Sequence, residues 1–289
     1  MPQGLYRGMD RGEIDRQLNL RARWPEHTDF FARWAADSAA ALARLGGHVN
    51  LAYGTSAGET LDLFLPPRPS AAGAPLLAFI HGGYWQSLDK GDFSYLAPPF
   101  VETGIAFASL NYDLAPKVGI AEIVAQIRGA ILWLARHARD HGIDAGRIFV
   151  AGHSAGGHLA VMALATEWPA PIGRLVQGAC SISGVYELEP IRQSYHQDIL
   201  RLDATTVQAM SPLRRVPKRA GPLILAVGAD ETAEFLHQQE ELAVAWRAGG
   251  LAVQVVDLPG RHHFSAVDAL AERGHPLFAA VRALVLARG

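Results

Sequence analysis

The chain has a single cysteine among its 289 residues, Cys180. An internal disulfide is therefore excluded, and with it any fold stapled by a disulfide framework. Cys180 lies in Gly178-Ala179-Cys180-Ser181-Ile182-Ser183, which reads as a buried strand and makes it a small core residue rather than a nucleophile. Lysine is also scarce, with only Lys90, Lys117 and Lys218. No run of Lys or Arg stands out, and the formal net charge is -2, so neither a nucleic-acid nor an anionic-membrane partner is supported. No apolar stretch reaches the roughly 18 residues that span a bilayer. The start, Met1 to Asp10, lacks the basic-then-apolar layout of a secretory signal. A soluble cytoplasmic protein is expected. The 12 histidines form no H-E-x-x-H motif and no Cys/His cluster, so no catalytic metal is expected. Internal repeats and low-complexity segments are absent as well.

What is present is apolar material. Hydrophobic residues make up 49% and charged residues 19%, enough for one sizeable core and too little charge for wholesale disorder. The whole chain, 1–289, reads as a single domain. Residues 1–48 are helical in character, with apolar positions at helical spacing over Glu13 to Leu20 and Asp29 to Leu45, interrupted by Pro25. A strand pair follows, Val49 to Tyr53 and Leu61 to Leu65, the second alternating as a half-buried antiparallel strand does. Pro66 to Pro75 reads as a surface connection.

From Pro75 the texture changes to short apolar runs. These are Pro75 to Ile80, Ile105 to Leu110, Ile148 to Val150, Leu175 to Ile182, Leu223 to Val227 and Ala252 to Val256. Helical stretches separate them: Ile120 to His137, Ala155 to Ala165, Ala233 to Ala248 and Ser265 to Glu272, with a last helix from Pro276 to the C-terminus. Strands apolar on both faces alternating with helices indicate an α/β fold with a mostly parallel sheet covered on both sides. Residues 186–212 are polar and irregular, placed where a small cap would be inserted.

Gly152-His153-Ser154-Ala155-Gly156 stands between a strand and a helix, the arrangement called G-x-S-x-G. A strained strand-to-helix turn exposes the Ser154 oxygen, and a bulky side chain at Gly152 or Gly156 would collide with its surroundings. The Ala155 N–H, at the helix N-terminus, can donate to an oxyanion. His153 holds the variable position and is not needed as a base, and His158 reads as structural. His81-Gly82-Gly83-Tyr84-Trp85 follows an earlier strand and matches the H-G-G-G type of oxyanion loop, with Tyr84 in place of the third glycine. The donors are main chain, so they survive that change. Gly82, Gly83, Tyr84 and Ala155 are the oxyanion-hole candidates. His81 reads as a loop-fixing residue, and Tyr84 and Trp85 as candidate linings of a substrate pocket.

In this class the acid and then the base follow the nucleophile in the chain. After the run Leu223 to Val227, Asp230 is the first candidate acid and Glu231 the alternative. After the next run, His263 is the candidate base and His262 the alternative. Ser154, Asp230 and His263 then form a triad in which the acid fixes the imidazole and the imidazole activates the serine.

These motifs carry a resemblance. His81 to Gln86, Asp89-Lys90, Asn111 to Pro116, Gly152 to Leu159, Ser183 to Pro190, Asp230 to Phe235 and His263-Phe264 together are similar to the kynurenine formamidase (arylformamidase) branch of the α/β hydrolases, near the hormone-sensitive-lipase-like esterases. The segment around Asn19 and Arg21 is similar too. The resemblance implies the α/β-hydrolase fold, the Ser154–Asp230–His263 triad, no cofactor, and a small-molecule acyl or formyl substrate of which N-formylkynurenine is the name-giving example. A homodimer is compatible with it. Two other readings stay open at this point: a general short-chain carboxylesterase, and a catalytically silent binding protein on the same fold.

Overall fold

A computed structural model describes residues 4–68, 72–168 and 172–287. The expected connection Pro66 to Pro75 falls partly outside them. One eight-stranded sheet organises the chain. Its strands are β1 (His48–Ala52), β2 (Thr60–Phe64), β3 (Ala74–Ile80), β4 (Ala106–Leu110), β5 (Ile143–His153), β6 (Val176–Ile182), β7 (Leu223–Gly228) and β8 (Val253–Leu258). They lie in the order β1-β2-β4-β3-β5-β6-β7-β8. β1 and β2 are antiparallel to their neighbours, and the strands from β4 through β8 run parallel. This is the α/β-hydrolase arrangement.

The central strands are apolar on both faces because both faces are covered. All seven residues of β3 are buried. Helix Ile120–His137 turns Ile120, Ile123, Val124, Ile127, Ile131 and Leu134 inward, at the 3–4 residue spacing of an amphipathic helix. Helix Ala155–Leu164 is buried along its whole length, against β3, β5 and β6. Helix Ala233–Ala248 packs on β7 and β8, and helix Pro276–Leu286 on β3, β6 and β7. The N-terminal region forms three helices, Arg11–Leu18, Leu20–Arg23 and His27–Leu45. The Asn19 side chain accepts from the Ala22 N–H, capping the second of them. Residues 186–212 contain short helices, Glu189–Gln193, Gln197–Leu200 and Ala204–Met210.

Three local departures from the sequence pattern have physical causes. β5 begins five residues before its apolar run, because Ile143 pairs with Ala74 at the open end of the sheet, where no apolar stretch is needed. β8, although apolar, is an edge strand, and Val255 keeps 37% of its surface exposed. In β2 the alternation does not turn its polar residue to solvent. Asp62 is buried, and its carboxylate meets Lys90 Nζ at 2.9 Å.

That ion pair explains a strained residue. Asn50 sits at an irregularity of β1 with φ of 56°, a region Asn tolerates better than most. Its N–H donates to Asp62 (2.7 Å), and its side-chain oxygen accepts from Lys90 Nζ (2.8 Å). Lys90 continues the network toward the centre of the molecule: its carbonyl accepts from Ser109 Oγ, and its N–H faces Asn111 Oδ1. Breaking a buried pair by removing one partner strands the other charge, which costs about 3–5 kcal/mol, whereas replacing both with apolar residues is often neutral. Asp62→Ala should therefore lower the unfolding free energy by about that amount. The double variant Asp62→Leu/Lys90→Met should recover most of the loss in urea unfolding.

Candidate active site

β5 ends at His153, and the next residue begins a helix. Ser154 makes the turn with φ 58° and ψ -121°, outside the regions an L-residue favours. Its N–H donates to the Ile182 carbonyl (2.8 Å), so β6 holds the turn in place. The flanking glycines are required by contact: a Cβ on Gly152 would stand 2.1 Å from the Gly156 carbonyl oxygen, and one on Gly156 would stand 2.0 Å from that of Ile80. The sharp turn thus depends on main chain touching main chain.

The loop after β3 lies directly against it. A Cβ on Gly82 would come within 2.7 Å of the His153 carbonyl oxygen and 3.0 Å of the Ser154 Cβ. Gly83 (φ 100°), Tyr84 (φ 49°) and Trp85 (φ 58°) follow in the left-handed half of conformational space. Among the described residues, the N–H groups of Gly83, Tyr84 and Ala155 have no acceptor. Unpaired main-chain donors beside a serine are what a developing oxyanion requires. The loop is pinned from behind. His81 is buried and bridges Asn111 Oδ1 (3.0 Å) and the Gly82 carbonyl (2.9 Å), and Tyr112 stacks on its ring at 4.3 Å. The Tyr112 hydroxyl donates to the carbonyls of His81 and Gly82. Asn111 Nδ2 donates to Asp89, which joins this framework to the Lys90 network.

His263 shares with Ser154 a cavity of about 30 Å³. Its Nδ1 meets Glu231 Oε2 at 2.7 Å. The acid expected first was Asp230, and the structure corrects that choice. Asp230 is exposed, its main chain tied to the Arg261 carbonyl, while the Glu231 side chain is sealed from solvent. The cause is the turn after β7. The Gly228 N–H donates to Glu231 Oε1 (3.0 Å), and Ser183 Oγ donates to the same oxygen. These donors draw the second carboxylate of the pair inward. Its other oxygen is left for the imidazole, whose Nε2 is then the nitrogen available to Ser154. His262, the alternative base, is engaged elsewhere: it caps helix His263–Ala266, accepting from the Phe264 N–H, and stacks on Trp24 at 5.2 Å.

The aromatics of the loop divide. Tyr84 does line the cavity, but its hydroxyl donates to the Leu18 carbonyl (2.9 Å) and its ring packs at 3.8 Å on His196. Trp85 does not line it. It is fully buried and meets His158 edge-on at 5.1 Å, so its expected place in a substrate pocket is corrected to scaffold. His158 in turn reaches the Met210 carbonyl (2.8 Å) and fastens residues 204–214 to the nucleophile helix.

Several contributors were missed in the sequence. Leu20, Arg21, Phe31 and Trp34 come from the N-terminal helices and line the cavity with Leu88 and Phe264. Asp268 fixes this segment, accepting from Trp34 Nε1 (3.1 Å), Tyr95 Oη (3.0 Å) and Arg33 (2.6 Å). His153 is not needed as a base, but its Nε2–H donates to the His263 carbonyl (2.8 Å). Burial, and then the neighbouring His263, hold its pKa well below the ordinary range, so it stays neutral and keeps that bond. Ser183, Phe264 and Arg21 had a readable signal, as parts of the segments that carry the resemblance. Among the described residues no group of three or more His, Cys, Asp or Glu is arranged to hold a metal, and no described helix is long and apolar enough to cross a membrane.

Fold and site together define a hydrolase of the α/β-hydrolase class. Comparison with known proteins narrows this. The BD-FAE family model matches residues 61–175. Kynurenine formamidase of Danio rerio is 32% identical over 236 residues, 79% of this chain and 78% of that protein. The chain belongs to the kynurenine formamidase family. A solved protein from Silicibacter sp. TM1040, described provisionally as a thioesterase, superimposes with a TM-score of 0.83 at 31% identity, covering 95% of this chain and 99% of its own. Esterase B of Lactobacillus rhamnosis shares the fold, with a TM-score of 0.72 at 20% identity over 91% of this chain and 96% of its own.

The buried histidines around the site make stability depend on pH. Burial lowers the pKa of His158 from 6.5 to about 4, and that of His196 to about 4. The unfolded chain binds these protons first. The stabilising contribution is therefore complete above pH 6.5 and is lost as pH falls from 6.5 toward 4. At pH 5 the loss is about 2 kcal/mol for each histidine. In His158→Gln, the drop in unfolding free energy between pH 7 and pH 5 should shrink by about 2 kcal/mol relative to wild type. Urea titrations at the two pH values measure it, and an unchanged drop would show that His158 carries no such penalty.

Proposed function

We propose that the protein is an arylformamidase that works through an acyl-enzyme on Ser154, with His263 as base and Glu231 as its acid. The observation that carries this reading is the His263–Glu231 pair, buried beside a serine on a strained turn that faces unpaired main-chain donors. His263 Nε2 takes the Ser154 proton as Oγ adds to the formyl carbon. The N–H groups of Gly83, Tyr84 and Ala155 receive the oxyanion, each worth about 2.7–4 kcal/mol of transition-state stabilisation. His263 then hands the proton to the departing aryl nitrogen as the carbon–nitrogen bond breaks. A water, deprotonated by His263, attacks the formyl-serine and releases formate and free Ser154. Glu231 holds the imidazole tautomer and stabilises the imidazolium, and it need not take up the proton itself.

The formyl preference draws support from the family. An anilide departs more readily than an alkyl amine, so an esterase-like site of this kind could also cleave an aryl formamide.

Two measurements test this. Glu231→Gln should lower kcat about 10⁴-fold by leaving the wrong tautomer of His263, while Asp230→Asn should stay within a few-fold of wild type. The opposite ranking would return the acid role to Asp230. A substrate panel of N-formylkynurenine, phenyl acetate and phenyl butyrate should give the highest kcat/KM on the formamide. A preference for butyrate would make the protein a general carboxylesterase.

A further inference from the structure

Tyr84 and Trp85 are two successive non-glycine residues with left-handed backbone, at φ 49° and 58°. Such a conformation is costly and persists only where the surroundings over-determine it. The side chains are where the surroundings can take hold. Trp85 meets His158, which is itself bonded to the Met210 carbonyl. The Tyr84 hydroxyl donates to the Leu18 carbonyl, which fixes the far tip of the ring. The face of that ring lies against His196, with centroids 3.8 Å apart and planes inclined by 32°.

His196 stands between the short helices Glu189–Gln193 and Gln197–Leu200, and it is buried. Its own place is set by several neighbours. Its N–H donates to Ser194 Oγ (3.2 Å), and its carbonyl accepts from the Leu200 N–H (2.9 Å). The Tyr195 N–H beside it donates to Asp15 on the first helix (2.8 Å), and Gln86 Nε2, two residues past Tyr84, lies 3.4 Å from its Nδ1. Burial lowers the pKa of His196 to about 4, so at neutral pH the imidazole carries no charge and two neutral rings meet. His196 is not among the residues that line the Ser154 cavity. It can therefore influence the reaction only through what it touches.

We infer that His196 is a positioning residue for the oxyanion loop: its ring, carried by the segment 186–212, holds Tyr84 in the conformation that leaves the Tyr84 N–H free for the oxyanion. The segment then supports the transition state from behind the loop, a duty separate from covering the site. The inference rests on the proposed oxyanion role of Tyr84, but not on the preference for formamides over esters. A donor of this kind works only once the carbonyl oxygen has become an oxyanion. Its displacement therefore lowers kcat and leaves KM nearly unchanged.

The test compares His196→Asn, which removes the ring, with His196→Phe, which restores a flat ring, on phenyl acetate and on N-formylkynurenine. In His196→Asn, kcat should fall about 10- to 100-fold, less than the 10²–10³ typical of losing a whole donor, with KM within about twofold of wild type. His196→Phe should recover most of kcat. Tyr84→Ala supplies a double-mutant cycle. If His196 acts through the Tyr84 ring, adding His196→Asn to Tyr84→Ala should lower kcat by less than about twofold more. A purely structural role would lower the urea midpoint of His196→Asn and leave kcat per folded molecule unchanged, which would overturn the inference. So would independent, multiplying losses in the cycle, or a His196→Phe variant no better than His196→Asn. The expected losses on phenyl acetate, with no turnover of N-formylkynurenine by the wild type, would leave the role of His196 standing and end the formamidase reading. Turnover of both substrates with kcat unaltered in His196→Asn would have the reverse meaning.

Discussion

The site depends on how closely the main chain packs where β3, β5 and the helix after Ser154 converge. Gly152, Gly156 and Gly82 each occupy a place where a single added carbon would fall well inside van der Waals distance of another residue's main chain. This contact fixes three things together. It gives Ser154 its strained backbone, it aims the Ala155 N–H at the space above the serine, and it brings the loop after β3 within reach of the same space. A strained residue survives only where its surroundings over-determine it. Here the surroundings are the buried centre of a parallel sheet, where the strands cannot separate without exposing the core. Fold stability is the force that holds the turn.

The second half of the site is assembled by hydrogen bonds rather than by contact. The Glu231 carboxylate has one oxygen taken by Gly228 and Ser183 and the other by His263. The His263 main chain is held separately, its carbonyl accepting from His153. The imidazole is thereby fixed at its ring and at its backbone by two different strands' ends, β7 through Glu231 and β5 through His153. The residue between Gly152 and Ser154, chemically dispensable as a base, links the nucleophile turn to the loop that carries the base.

Much of this was legible in the sequence because the strongest signals are local. Apolar runs marked the buried strands, and helices Ile120–His137 and Ala233–Ala248 fall where their periodicity placed them. The elbow around Ser154 and the loop at His81 announce themselves through glycine, because glycine is required by local geometry. The acid does not announce itself in this way. Asp230 and Glu231 are adjacent, both stand between a strand and a helix, and which one turns inward depends on donors from Gly228 and from Ser183, the latter 48 residues away in sequence. Asp62 misled for the same reason: its alternation pattern is that of a solvated residue, and only the distant Lys90 makes its burial tolerable. Trp85 looked like part of a pocket because it follows Tyr84, yet left-handed backbone at both positions sends the two rings to different surroundings.

The N-terminal helices show what local signals omit altogether. Their amphipathic pattern requires that they pack on something, without saying on what. The structure lays them over the nucleophile: Trp34 is tied to Asp268, Tyr84 to the Leu18 carbonyl, and Arg21 to Ser87. Each tie joins this segment to an element that carries or supports the site, so the cavity wall and the catalytic loop share one hydrogen-bonded framework. The wall helps to enclose the small cavity beside Ser154. The sheet ends and the glycine contacts supply a serine, its donors and its base, which are general equipment for breaking an acyl bond. Selectivity among acyl compounds has to come from whatever closes over that equipment, and in this chain much of that closure is the N-terminal segment.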